Sequence, residues 1–448
     1  MTLNKQLLLL VTIYLLSLIN IKSQNNLNRR FVWSLEECLE YAIANNITIK
    51  KAILSKNSSD LNLKQSKNNR LPNLNTNING GMTNGSSIDP ITSSFQNEFY
   101  KSVNGNISTS VALYNGNKLT NTIEQNQLLV NQNSLYIEQA ENNIILSILE
   151  AYVQALYTQE AIEIAKNSAK STEDLLKQGQ IKFSNGALSR SDLADLEAQN
   201  ATNQYNIVSA QTQYAQQVLA LKQLLELDPK IDFQIEIPEL SDTKDYLIPN
   251  KEIIFEQAVN KLPDTKIYDI EKQINEKDLE IAKAGYLPTL NLSGSLSTGY
   301  SSTRDYIDFG RQLDGNKSQN VSLSLNIPIF SKFQNKTNVA LAKINIQQSE
   351  LNKIQANKDL YQKIEMAWLN ATTNQAESKS SKTLRDTSKL SYDLSIKKYE
   401  FGGSTTTDLL VSQTNYLNAE QKYLQTKYMG LLYQQLLQYY QGQPIKIQ

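Results

Sequence analysis

The stretch NNRLPNLNTNING, Asn68–Gly80, is matched by AGYLPTLNLSGSL, Ala284–Leu296, with Pro72 standing against Pro288, 216 positions apart. Four further landmarks keep that offset. VALYNG from Val111 answers IPIFSK from Ile327, and EECLEYAIANN from Glu36 answers EIIFEQAVNKL from Glu252. KFSNGALSRSD (Lys182–Asp192) answers KYEFGGSTTTD (Lys398–Asp408), so that Gly186 stands against Gly402 and Asp192 against Asp408. A repeat of this kind constrains the fold more than any local propensity does, because whatever one half becomes the other must become too. The halves meet in a Pro-marked connector, Leu227–Asn250. We read the chain as a signal segment at 1–23, a first repeat at 24–248, a second at 249–440 and a C-terminal tail at 441–448.

The N-terminal segment carries Lys5 before an apolar run from Leu7 to Ile19 and ends in small or polar residues. That is the pattern of a secretory signal peptide cleaved near Ser23. The run is shorter than the roughly 20 residues a spanning helix needs, and a lipoprotein would need cysteine at the cleavage point. Losing residues 1–23 takes Lys5 and Lys22 from 44 basic side chains and nothing from 44 acidic ones, for a net charge of about −2. Such a balance gives no reason to expect nucleic acid. The chain has no histidine and one cysteine, Cys38. His-based nucleophile pairs, His-ligated metals and an internal disulfide are thereby excluded. No phosphate-binding glycine loop is present either, so neither enzyme nor cofactor is expected. No mature segment is apolar enough for a transmembrane helix, which leaves a soluble, a surface-attached or a β-barrel-inserted protein.

Each half opens with a short amphipathic helix; in the first, Ser34 and Glu37 form a capping box, and Leu35, Leu39, Ala42 and Ile43 share a face. Cys38 and Trp33 belong to the packing there. A second helix runs to the Leu-Pro pair, where Pro72 or Pro288 ends it. The period then switches to two. Leu74, Thr76, Ile78 and Met82 alternate with Asn and Gly, and Val103, Ile107, Thr109, Val111 and Leu113 with Ser and Asn. Leu290, Leu292 and Leu296, then Val321, Leu323, Leu325, Ile327 and Ile329, repeat the pattern. Such strands, about nine to eleven residues long, suit a membrane barrel with lipid outside and a polar lumen. Four strands cannot close one, and open edges are not tolerated in lipid, so other copies of the chain must complete it.

A helix from Lys118 to Ile181 is predicted, with a stripe of Ile123, Ile137, Ile144, Ile148, Tyr152 and Ala155, and a return helix from Leu188 to Leu227. At ~1.5 Å per residue these are roughly 95 and 60 Å long. In the second half Leu410, Leu417, Leu424 and Leu431 recur every seven residues, which predicts a packed seam; Ala194, Ala201, Val208 and Ala215 hold the matching places in the first.

The ordered set WSLEECLEYAIANN, Leu-Pro, a strand pair ending LYNG or IFSK, and long helices around FSNGALSRSDL and YEFGGSTTTDLL, all present twice, resembles the TolC outer membrane efflux protein family over residues 33 to about 440. The resemblance implies a mostly α chain with β, a homotrimer in the outer membrane of a Gram-negative bacterium. Each subunit would give four strands to one barrel, continued by a long α-helical barrel into the periplasm. It implies a passive export duct of a tripartite efflux or type I secretion system, energised by an inner-membrane transporter through a periplasmic membrane-fusion adaptor. The helix breaks would be tip turns where that adaptor docks and the pore narrows, which assigns Gly186, Asp192, Asp195, Gly402, Gly403 and Asp408 to the tip. The glycines suit positive φ, and the aspartates suit a helix start. Relatives often carry a second acid three residues after the second-repeat aspartate; here that place is Val411, while Asp195 holds it in the first repeat.

Two other readings compete. A secreted or surface-attached coiled-coil scaffold or adhesin would explain the helices but has no use for alternating hairpins placed alike in both repeats. A periplasmic adaptor would need a domain rich in short strands, and none is predicted.

Overall fold

The computed structural model describes residues 32–88, 95–238 and 247–445; the signal segment lies outside them. The first half contains β1 (Val32–Trp33), α1 (Leu35–Asn45), α2 (Ile47–Asn68), β2 (Asn73–Ile88), β3 (Phe95–Tyr114), α3 (Lys118–Ser184) and α4 (Arg190–Leu224). After β4 (Gln234–Ile235) the second half follows with α5 (Lys251–Lys261), α6 (Pro263–Ala284), β5 (Thr289–Ser301), a 3-10 turn (Ser302–Arg304), α7 (Phe309–Gly315), β6 (Ser318–Asn326), α8 (Gln334–Glu400) and α9 (Thr406–Tyr440). The helix pairs α1/α5, α2/α6, α3/α8 and α4/α9 begin and end 216 positions apart without exception. α3 and α8 have 67 residues each, roughly 100 Å of helix, and α4 and α9 have 35 each.

The described residues cluster into two compact units, one within Lys51–Gln139 and Leu262–Leu360, the other within Met1–Lys50, Ala140–Lys261 and Tyr361–Gln448. The first contains the sheet. Its helices α2 and α6 stop at Asn68 and Ala284, four residues before Pro72 and Pro288. The prolines therefore sit in the connecting turn, where the ring forces the preceding residue towards extended geometry and starts the strand. The sheet is antiparallel in the order β2-β3-β5-β6, with Ile107 between Thr76 and Leu296. Strands of 16, 20, 13 and 9 residues are mostly longer than the alternation suggested, and Ile327 and Ile329 fall beyond β6. One face carries Leu74, Ile78, Ile107, Leu296, Val321 and Leu323, and the other is Asn, Ser, Thr and Gly, with Ser293 and Ser322 sharing a hydroxyl bond of 2.7 Å. The apolar face is bare: Leu74 and Ile78 are 76% exposed and Val321 80%. Each such side chain forgoes about 1.5–3 kcal/mol of burial in water, so this face requires an apolar medium. Among the described residues no helix is long and apolar enough to cross a membrane.

In the second unit Leu35, Cys38 and Ala42 of α1 pack on Ile148, Tyr152 and Leu156 of α3 and Leu221 of α4. Ser34 and Glu37 form their capping box. Ile43 is 38% exposed, and Cys38, fully buried, takes its place on the packed face; burial pushes its thiol pKa up to about 12. β1 and β4 pair in parallel, an element invisible in a two-residue sequence window. The two repeats tie down their entry segments at equivalent places with different chemistry. The Tyr152 hydroxyl donates to Trp33 O (3.2 Å) and Glu236 O (2.8 Å), and Trp368 Nε1 donates to Pro249 O (3.0 Å). Trp368 is the repeat mate of Tyr152, and Pro249 that of Trp33.

The seam of α9 is broader than the leucine pattern. The predicted leucine line holds Leu424, 3% exposed, with Leu410, Leu417 and Leu431 half-buried, and a second sevenfold line beside it buries Leu409, Tyr423, Gly430 and Leu437, with Tyr416 half-buried. Val208, in the matching first-half line, is 61% exposed, while Leu193, Leu196, Asn203 and Leu221 are buried. Buried polar groups join the seam. Gln413 Nε2 and Asn203 Nδ2 both donate to Thr172 Oγ1, at 2.9 and 2.7 Å, and the Thr426 hydroxyl bonds Ser381 at 2.8 Å. With partners supplied, these residues occupy inward positions that a hydrophobic count passes over.

Candidate functional site

The tip of each long hairpin is a five-residue connection, 185–189 in the first copy and 401–405 in the second. α3 ends at Ser184; Gly186 then turns left-handed at φ +74°, Gly186 N–H donates to Phe183 O (2.9 Å) and Ala187 N–H to Lys182 O (2.8 Å). In the second copy Gly402 has φ +75°, Gly402 N–H donates to Tyr399 O (3.2 Å) and Gly403 N–H to Lys398 O (2.8 Å). This is the bond pair of a Schellman C-cap, which satisfies the last carbonyls of α3 and α8 and needs a residue free to take positive φ. Gly403 is the next residue in that motif, where the first copy has Ala187.

The returning helices start with matched caps. Ser189 Oγ accepts from Asp192 N–H (3.0 Å) and donates to Asp192 Oδ2 (2.6 Å). Thr405 Oγ1 accepts from Asp408 N–H (3.1 Å), and Asp408 accepts from both the Thr405 hydroxyl (2.7 Å) and the Thr405 N–H (3.3 Å), a complete capping box. The Thr405 hydroxyl first and its N–H second hold the Asp408 carboxyl below its usual pKa. The structure thus places both aspartates three residues after their N-caps, near the positive end of the helix dipole.

Asp195 stands apart. It lines a groove of about 450 Å³ between α4 and α9, with Gln199 and Thr202 on its own side and Thr407, Leu410 and Val411 opposite. Thr414 and Asn415 complete the α9 side, which is therefore mixed, and the groove is acidic only through Asp195. Beneath the turns Leu175, Leu196, Tyr392, Tyr399 and Leu409 form a small core. Lys182 reaches from the first turn to the second, its ammonium 4.2 Å from the Tyr399 ring centroid and 3.3 Å from Tyr399 O. That bridge, and the Thr172 node below it, had no periodicity to reveal them, although Lys182 opens the repeated motif. Among the described residues no group of His, Cys, Asp and Glu is arranged to hold a metal ion.

A sheet with one bare apolar face and one polar face, followed in each repeat by a 67-residue helix and a capped turn, defines the chain of a membrane channel. The model of the outer membrane efflux protein family matches residues 38–226 and 269–440, most of the chain, and the chain belongs to that family. As a member of it, the protein is an efflux duct of the outer membrane, and not an enzyme. The fold is similar to the Campylobacter jejuni CmeC outer membrane channel (TM-score 0.80, 18% identity, 91% of this chain and 85% of that one). It is also similar to the outer membrane protein VceC of Vibrio cholerae (0.78, 14%, 92% and 97%) and to the open state of the Neisseria gonorrhoeae MtrE outer membrane channel (0.74, 20%, 92% and 89%). No match is found among curated protein sequences.

Proposed function

We propose that three copies of this chain close one barrel and one helical tunnel, forming the passive outer membrane duct of a tripartite export system. The observation that carries the proposal is the pair of unpaired edges, β2 and β6, on a sheet whose apolar face is bare. In lipid each unsatisfied backbone group costs several kcal/mol, so the edges must meet those of other copies, and twelve strands leave the polar Asn and Ser face around a lumen. The long helices then carry the tip turns at Gly186 and Gly402 into the periplasm, and an inner-membrane transporter supplies the energy. A periplasmic adaptor docks on the tips, against the groove that joins Asp195 to Val411. The two repeats together would present six turns of two kinds around the ring.

The test is reconstitution of the refolded full chain. Cross-linking in detergent is expected to stop at the trimer, and planar bilayers are expected to show stepwise conductance. Monomers that never conduct would refute the duct. For the adaptor, a photo-cross-linker at Thr202 or Val411 is expected to capture one periplasmic protein in cells, whereas one at Tyr205 serves as the off-groove control. Equal capture at all three positions would remove the groove from the docking surface.

A further inference from the structure

The second hairpin of the sheet carries an excursion at the end remote from its long helix. Between β5 and β6 the chain folds into the 3-10 turn Ser302–Arg304 and the helix α7 (Phe309–Gly315). This excursion is built into the sheet. Gln312, 3% exposed, accepts from Ser301 N–H (3.0 Å) and donates to Arg304 O (3.0 Å) and Ile307 O (2.9 Å), fastening α7 to the strand end. The Thr298 hydroxyl donates to Leu313 O (2.5 Å), and the rings of Tyr300 and Phe309 lie 5.1 Å apart.

Those anchors decide which side α7 occupies. Thr298 and Tyr300 share strand parity with Leu292 and Leu296, so their side chains leave the sheet on the apolar face and not on the Asn and Ser face. Their partners in register, Gly105 and Val103, belong to the same face as Ile107. α7 therefore covers the last rung of the apolar wall from outside. Its own outward surface is of another kind: Asp308 and Arg311 pair at 3.2 Å, and Asp314 pairs with Lys317, all well exposed. Tyr306, just before α7, is 74% exposed. An exposed aromatic residue, beside a helix that lies over the apolar face of the sheet and carries a zwitterionic outer surface, fits the boundary between hydrocarbon and headgroups.

We propose that α7 and Tyr306 rest in the outer headgroup layer of the membrane, against the outer wall of the sheet, and fix the depth at which the barrel sits. The occupant of this surface is the lipid headgroup layer, and the proposal rests on the duct reading above. The alternative placements, open water or a neighbouring copy, are outcomes of the test.

The experiment uses the full chain with Cys38→Ala, reconstituted in vesicles containing a nickel-chelating headgroup lipid and spin-labelled singly at Tyr306→Cys or Ile78→Cys. The Ile78 label should relax chiefly with oxygen, as a hydrocarbon-facing site does. The Tyr306 label should relax chiefly with the headgroup-bound nickel. Relaxation at Tyr306 only by a water-soluble nickel complex would overturn the proposal, as would shielding from all three reagents. If the Ile78 label also failed to see oxygen, the duct reading itself would fall, so the two failures are distinguishable.

Discussion

Gly179 has no steric freedom and Leu196 has no spare room, and the two should behave as one compensated pair. A methyl placed on Gly179 in α3 would lie 2.5 Å from Leu196 Cδ1 and 3.5 Å from Leu188 Cδ2, inside the core under the tip. Leu196 is fully buried, so it cannot swing into solvent. Overpacking of this sort typically costs about 1–3 kcal/mol, and replacing glycine in a helix returns up to about 1 kcal/mol. Gly179→Ala should therefore destabilise by about 0–2 kcal/mol. Leu196→Ala opens a cavity in the same core and should cost about 2–5 kcal/mol. In the double variant the new methyl occupies part of the space that leucine vacated, so the loss should fall short of the sum by about 1 kcal/mol or more. The second repeat already holds such a combination, with Ser395 and Ser412 at the two equivalent positions. Guanidinium unfolding of the full chain in one detergent, followed by helical circular dichroism, gives the four midpoints of the cycle. Additivity within about 0.5 kcal/mol would mean that the two side chains do not share a cavity, and the reasoning would fail.

At the turns, Gly402→Ala should cost about 1–2 kcal/mol because it forces a side chain to positive φ, while Gly403→Ala should be close to neutral, as Ala187 already fills that place; unfolding midpoints that failed to separate the two would refute the C-cap assignment. Alkaline unfolding should be steep, because burial first and Glu420 second push the Tyr416 phenol up to about 12, and burial with Glu160 raises that of Tyr428, whose hydroxyl donates to Glu160 Oε2 at 2.6 Å. Both folded pKa values lie above the ordinary phenol value, so this stability is present below about pH 10 and is lost as pH rises through them; following tyrosinate absorbance against helicity, Tyr416→Phe and Tyr428→Phe should each delay the loss. Asp408 has the opposite sign: its folded pKa is depressed, so the capping contribution is present above the usual carboxylate range and disappears as pH falls through the lowered value. Asp408→Asn should flatten the acid limb of the unfolding curve, and an unchanged limb would show that the carboxylate contributes nothing there. Lys182→Met should keep the packing of its stem over Tyr399 and lose the charge, raising spontaneous openings in bilayer recordings if the bridge holds the tips together.

The helix boundaries were legible because they rest on signals that act locally and occur twice: the Ser34–Glu37 box, the Leu-Pro turns, and glycine followed six residues later by aspartate. The leucine line marks only part of the α9 seam, because leucines are only the commonest seam residues. Gln413, Thr426 and Gly430 occupy inward positions through bonds to Thr172 and Ser381 and through close approach to Asn374, whose Oδ1 would lie 2.7 Å from a methyl on Gly430. Those partners sit 45 or more residues away in sequence, beyond any window of periodicity. The β1–β4 pair escaped for a related reason, since the Tyr152 hydroxyl that holds it bonds to backbone 84 and 119 residues away, while α7 is fixed by Gln312 through bonds to nearby backbone that no periodicity marks.

The divergence of the two copies follows one rule. Helix lengths agree residue for residue, 67 with 67 and 35 with 35, while the side chains that perform a given task have changed freely. Tyr152 and Trp368 share a task through a phenol and an indole, and Gly179 with Leu196 is answered by two serines. Geometry explains the contrast. One residue added to a single long helix would turn everything beyond it by about 100° and move it about 1.5 Å, and no local substitution repairs such an error over the remaining turns. A packing contact, by contrast, is repaired by its own neighbour. In the proposed ring of both repeats, each tip turn would have to arrive at the same height and facing as the next, so length is the quantity that cannot drift, and surface chemistry is where the two copies are free to take different roles. The acidic groove wall at Asp195 and its apolar counterpart at Val411 are the clearest instance at the tip.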